Sequence, residues 1–246
     1  MTPLLALHGF TGRADAWAEA APHAIGLALA GHAPDLPVPA GWSFDHEADR
    51  IAAIAGAAGE PVHLAGYSMG GRLGLAVACR WPERVARLTL IGVHPGLADQ
   101  PAIDERRAAD EGWCALLERG GIEAFVSAWQ EQPLWRSQAA LPAEVRERQR
   151  LARLQHSPAA LAAALRALGL GSMPSLWRHL DDLPMPVDWV AGGLDVRFIE
   201  LARRAAARCR AGQLIVVAGA GHNVLLERPA EISRALGDAR AERRST

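Results

Sequence analysis

The run Gly66-Tyr67-Ser68-Met69-Gly70 sets a serine between two glycines, with the apolar stretch Val62 to Ala65 before it and an alanine-rich stretch after it. This is the strand–turn–helix setting in which G-x-S-x-G lifts a hydroxyl above the end of a sheet. The glycines allow the sharp turn, and a helix N-terminus under the serine favours negative charge that develops there. A serine hydroxyl is a poor nucleophile or base until a histidine takes its proton, and that histidine needs an acid to fix its tautomer. Asp195 follows an apolar run across Gly192-Gly193-Leu194, and His222 follows another across Gly219-Ala220-Gly221. Both fall just past the carboxyl ends of expected strands, where open α/β sheets place their sites. Ser68, Asp195 and His222 are the expected catalytic set.

Rival groups are weaker. Asp188 begins a strand, at the wrong end of the sheet, and His94 follows a strand but has no acid in the required order. His8 sits in a turn beside the first strand, and His23, His32, His46, His63, His156 and His179 fall in ordinary surface or helical contexts. No His-x-x-x-His or Cys-x-x-Cys pair occurs, so neither a metal nor another cofactor is expected. His8-Gly9-Phe10-Thr11-Gly12 follows the first apolar run. A turn at Gly9 aims the Phe10 N–H into the site, and the Met69 N–H, one past the serine, is the second donor of an oxyanion hole.

These loops need a sheet to hold them. Strands are expected at Leu4–Leu7, 31–35, 61–65, 87–92, 186–191 and 213–218, and helices at 14–24, 44–58, 71–81, 199–209 and 223–236. Alternation of this kind predicts an α/β fold, a mostly parallel sheet with helices on both faces. Between residues 97 and 182 no strand is expected. Helices at 103–119, 122–130, 143–155 and 159–168 fill the interval with four of the eight tryptophans, a helical cap inserted between two strands. The core is then 1–96 with 183–246, and the tail 238–246 is charged and expected to fray.

Composition excludes several classes. Of 246 residues, 50% are hydrophobic and 22% charged, with a net charge of −1, so neither nucleic acid nor membrane is an expected partner. All 26 basic residues are arginines, which weakens any single arginine as a functional signal. Three widely spaced cysteines suggest reduced thiols in a cytoplasm, and the apolar start lacks a basic leader and reads as a buried strand. No signal for an oligomeric state is present.

The chain resembles the 2-succinyl-6-hydroxy-2,4-cyclohexadiene-1-carboxylate synthases of menaquinone biosynthesis, within the α/β-hydrolase superfamily. The likeness spans nearly the whole length: His8-Gly9-Phe10 with Gly12 and Trp17, the Ser68 turn continued by Gly71-Arg72, His94-Pro95-Gly96-Leu97, Glu105-Arg106 with Asp110 and Trp113, Phe125 and Trp129 before Gln132-Pro133-Leu134-Trp135, Gly193-Leu194-Asp195 with Phe198, and Gly221-His222-Asn223. It departs at Asp35-Leu36-Pro37, which lacks the usual Gly-His-Gly, and around Arg153, where an asparagine-rich run is usual. The upstream strand common in the family is also expected to be missing. The resemblance implies a lyase that eliminates pyruvate from a cyclohexene bearing succinyl, carboxylate and enolpyruvyl groups. Ser68 would then be a base, and Arg72, Arg106 and Arg153, with Tyr67 and Trp129, would bind a small polyanionic carboxylate substrate. The alternative on the same fold is a serine carboxylesterase or carbon–carbon-bond hydrolase with Ser68 as acyl nucleophile. A non-catalytic binding protein fits poorly with an intact serine–acid–histidine order.

Overall fold

The computed structural model describes residues 2–237; the tail read above as frayed lies outside the described residues. Six strands form one parallel sheet: β1 (Leu4–Leu7), β2 (Ile25–Leu27), β3 (Val62–Tyr67), β4 (Val85–Ile91), β5 (Val187–Gly192) and β6 (Gly212–Val217), in the order β2-β1-β3-β4-β5-β6. β1, β3 and β5 are buried along their whole length because helices cover both faces of the sheet. One core lies under α1 (Phe44–Gly56), α2 (Met69–Arg80) and the helices that follow β4. The other, around Trp17, Tyr67, Val190 and Val224, is closed by α7 (Val224–Glu227) and α8 (Pro229–Ala235).

Local chemistry sets the boundaries. Ser43 caps α1, accepting from the His46 N–H while the His46 ring accepts from the Ser43 N–H. Glu47 is fully buried on that helix, and it is matched by Arg50 at 2.6 Å and the Ala30 N–H at 3.0 Å. α2 crosses β3 so closely that a Cβ on Gly66 would lie 2.5 Å from the Gly71 Cα.

Between β4 and β5 lie α3 (Gln100–Gln130), α4 (Ala143–Leu154), α5 (Pro158–Leu168) and three short 3-10 turns, one of them Pro133–Ala140. Asp99 and Ser157 cap α3 and α5. The two helices expected over 103–130 are joined as α3, whose axis breaks at Gly121 (φ 76°).

Three expectations fail. Residues 31–35 are not a strand; Gly31 takes φ 79°, and β2 is Ile25–Leu27, a short edge strand without an apolar run. The helix expected over 14–24 is one 3-10 turn, Ala14–Trp17. The closing helix expected from residue 223 to 236 is broken between α7 and α8, because Pro229 cannot donate an N–H.

Candidate active site

The loops that leave the carboxyl ends of β1, β3, β5 and β6 meet at one rim. Ser68 sits between β3 and α2 at φ 50°, ψ −110°, a strained conformation for a non-glycine residue, and its N–H is anchored on the Ile91 carbonyl at 2.8 Å. Its hydroxyl lies 3.3 Å from Nε2 of His222. Nδ1 of the same ring lies 2.9 Å from Oδ2 of Asp195. Asp195 caps α6 (Val196–Ala206), with Oδ1 accepting from the Phe198 N–H at 3.4 Å. The His222 ring is almost fully buried between Phe198, at 4.4 Å between ring centres, and Tyr67, at 5.6 Å. A hydroxyl, an imidazole and a carboxylate in this series can move a proton from serine to histidine and hold the resulting imidazolium. Asp188, the rival acid, is paired with Arg87 at 2.7 Å near the other end of the sheet.

The Gly9–Phe10 segment runs beside Ser68: a Cβ on Gly9 would lie 3.4 Å from Ser68 Cβ and 2.8 Å from the Tyr67 ring, so only glycine fits. The Gly9 carbonyl accepts from His8 Nδ1 at 2.8 Å and from the Gly12 N–H at 2.9 Å, and these bonds fix the peptide plane that carries the Phe10 N–H. Thr11, at φ 62°, is gripped on both sides. Its N–H donates to His32 Nε2 at 3.3 Å, and its carbonyl accepts from His156 Nε2 at 3.2 Å. All three histidines are buried, as the turn position of His8 allows but against the surface or helical contexts expected of His32 and His156, and the rings contact one another in the order His8, His32, His156. Burial lowers all three pKa values, that of His8 to about 4, and keeps the rings neutral with one nitrogen donating and the other free to accept.

Aromatic rings wall the space in front of Ser68. Phe10 meets Trp129 at 5.4 Å, Trp129 meets Trp135 at 6.2 Å, and Trp135 meets His222 at 5.7 Å between ring centres. Arg153 is buried and lies over the Trp135 ring at 5.5 Å. Its Nη1, the Tyr67 hydroxyl and the indole N–H groups of Trp129 and Trp135 are buried without a protein hydrogen-bond partner. Burial pushes the Arg153 pKa down to about 10, so it stays cationic at neutral pH. A cavity of about 810 Å³ opens between the segment after β1 and α4, lined by Phe10, Tyr67, Trp135, Arg153 and Asn223 among others.

Arg72 lies one helical turn beyond Ser68, buried, donating to the Leu168 carbonyl at 3.1 Å; burial and then neighbouring Arg106 lower its pKa to about 9. Arg106 is partly exposed and paired with Asp110 at 2.9 Å. Ser68, Arg72 and Arg106 lie outside the lining of the large cavity, so of the three expected arginines only Arg153 faces it. His94 is held near 4 by burial and by Arg197, Arg72, Arg106 and Arg204. Met69 is buried at the first position of α2. Among the described residues no cluster of histidine, cysteine and acidic side chains has the makings of a metal site, and no helix is long and apolar enough to cross a membrane.

Residues 4–235 match the model of the alpha/beta hydrolase family. The chain is 31% identical, over 93% of its length and 90% of the relative's, to 2-succinyl-6-hydroxy-2,4-cyclohexadiene-1-carboxylate synthase of Salmonella agona. It is 34% identical, over 92% of its length, to a provisionally named synthase of the same kind covering 85% of that Bacillus subtilis protein. The chain belongs to the alpha/beta hydrolase family, among these synthases. The solved structure of MenH from S. aureus superposes with a TM-score of 0.92 at 30% identity, covering 98% of this chain and 94% of that one. A thermophilic esterase from Thermogutta terrifontis shares this alpha/beta hydrolase fold, with a TM-score of 0.82 at 23% identity and coverage of 98% and 90%.

Sequence reasoning missed Glu227. Its carboxylate is buried, with Oε2 accepting from the Gly221 N–H at 2.7 Å and Oε1 from the Ser137 hydroxyl at 3.1 Å. The available signal was a lone acid closing the apolar turn Val224-Leu225-Leu226, since a carboxylate buried there needs donors.

Proposed function

We propose that the protein is a carbon–oxygen lyase that eliminates pyruvate from 2-succinyl-5-enolpyruvyl-6-hydroxy-3-cyclohexene-1-carboxylate, giving 2-succinyl-6-hydroxy-2,4-cyclohexadiene-1-carboxylate. The observation that carries this reading is the set of buried donors without partners around the Ser68 space: Arg153 Nη1, Tyr67 Oη and the two indole N–H groups. Buried donors left unpaired cost about 1–3 kcal/mol each, and a ligand rich in carboxylate oxygens relieves that cost. An enzyme for neutral esters has no use for a buried guanidinium that lines the cavity without a protein partner, one tryptophan ring away from His222.

The chemistry follows from the positions. Asp195 orients His222, and His222 takes the Ser68 proton as the serine oxygen removes the proton α to the succinyl ketone. The enolate oxygen that develops is held by the N–H groups of Phe10 and Met69, under the N-terminus of α2. Electrons then pass through the ring double bond and expel enolpyruvate, which becomes pyruvate on protonation at carbon. Arg153 and Tyr67 grip one carboxylate arm. Arg72 and Arg106, on the α2–α3 side, attract another. Residues 97–182 act as a cap over residues 1–96 and 183–246, and its aromatic rings keep water from the carbanion.

One assay divides this reading from an esterase or carbon–carbon-bond hydrolase. The same preparation is given the enolpyruvyl substrate, with pyruvate followed, and then short acyl esters. Pyruvate release with negligible ester turnover supports the lyase. Fast ester turnover without pyruvate supports the hydrolase.

A further inference from the structure

We propose that the cap braces both halves of this machinery, with Glu227 and His156 as positioning residues. The inference rests on the assignment of Ser68, His222, Asp195 and the Phe10 N–H given above, but not on the identity of the substrate.

The first strut runs from the cap to the histidine loop. Ser137, in the 3-10 segment Pro133–Ala140, donates to one oxygen of Glu227, and the Gly221 N–H donates to the other. Gly221 immediately precedes His222 in the chain. The approach is tight: a Cβ on Gly221 would lie 2.0 Å from Ser137 Oγ, so the cap and the loop touch at backbone distance. Trp135, two residues earlier on the same segment, packs edge-on against the His222 ring. The Glu227 carboxylate has a donor on each oxygen, one from the loop and one from the cap, and moving the cap segment pulls on the peptide that aims the imidazole.

The second strut runs from the cap to the oxyanion loop. His156 lies between α4 and α5, and its Nε2–H donates to the Thr11 carbonyl, 145 residues away in sequence. Thr11 holds φ 62°, a conformation that a β-branched residue keeps only when its surroundings impose it. Releasing its carbonyl lets the Phe10–Thr11 segment relax away from Ser68.

The two struts predict different signatures. Loosening the His222 loop weakens the imidazole's contact with Asp195, so the imidazolium is less stabilised and the acid limb moves to lower pH. Loosening the oxyanion loop leaves that titration alone and lowers the rate. The test is the rate at which a fluorophosphonate modifies Ser68, measured per folded molecule from pH 5 to 9, with a thermal melt of each variant. The probe needs both the base and the oxyanion donors but no enolpyruvyl substrate, so a failure of the lyase reading appears separately. Glu227→Ala is expected to slow labelling about tenfold, and Ser137→Ala about threefold, each with the acid midpoint lowered. Glu227→Gln keeps the shape, with its amide oxygen accepting from the Gly221 N–H and its NH2 donating to a Ser137 hydroxyl turned to accept, and is expected within about threefold of wild type. His156→Phe, which keeps the ring, is expected to slow labelling about tenfold at an unchanged midpoint. Ser137→Ala loses one hydroxyl only and folds even where Glu227→Ala does not. Wild-type rate and midpoint in Ser137→Ala overturn the first strut, as does a Glu227→Gln that behaves like Glu227→Ala. A wild-type rate in His156→Phe overturns the second.

Discussion

Nδ1 of His222 lies 2.9 Å from a carboxylate oxygen of Asp195, and this contact fixes which ring nitrogen carries the proton. With Nδ1–H donated to Asp195, Nε2 is left to accept from Ser68. Asp195→Asn keeps the volume but offers an N–H where an acceptor is needed, and the ring adopts the wrong tautomer. The expected outcome is a fall in kcat of about 10⁴-fold with a melting temperature close to wild type. Steady-state kinetics and a thermal melt check it; a loss smaller than tenfold would remove Asp195 from the reaction.

Ser68 is held at φ 50°, where glycine is at ease and serine is strained by about 1–3 kcal/mol. Ser68→Gly is expected to raise unfolding free energy by roughly 1 kcal/mol while abolishing activity. A denaturant titration that shows the variant less stable than wild type would mean that the turn is not strained.

Arg153 is buried without an anionic partner, which favours ligand binding over stability. Arg153→Met keeps the stem and removes the charge. Its expected effect is a KM at least about tenfold higher, with stability unchanged or raised by about 1 kcal/mol. A lowered melting temperature with an unchanged KM would make Arg153 a structural group.

Burial keeps His8 neutral in the folded protein, with its pKa lowered from 6.5 to about 4. As pH falls below 6.5 the unfolded chain takes up this proton first, so the folded state loses stability until about pH 4. His8 alone accounts for roughly 3 kcal/mol of that loss. Urea titrations from pH 7 to 4 are expected to show the decline, and His8→Asn to flatten it. An equal slope in both proteins would contradict the assignment.

The readable parts of this protein were those whose cause is local. β1, β3 and β5 stand out because burial on both faces makes them mostly apolar, and Ser68, Asp195 and His222 because each lies in or just after a glycine-rich turn at the end of a strand. β2 was misplaced because Ile25-Gly26-Leu27 is a three-residue edge strand whose pairing with β1 supplies the order that its sequence lacks. The stretch 14–24, expected to be helical, makes only one 3-10 turn because Trp17 is drawn into the core against β1. His32, His156 and Glu227 escaped notice because their partners, Thr11, Gly221 and Ser137, are brought to them only by the fold. The family resemblance singles out Arg72 and Arg106 more strongly than Arg153, yet only the fold separates the buried Arg153, with no protein partner at Nη1, from the salt-bridged Arg106.

The most direct test follows pyruvate released from the enolpyruvyl cyclohexene carboxylate by wild type and by Ser68→Ala under identical conditions. The expected result is one pyruvate per substrate consumed by wild type and a rate at least about 10³-fold lower for the variant. Either no pyruvate from wild type, or equal rates from the two proteins, would contradict the account.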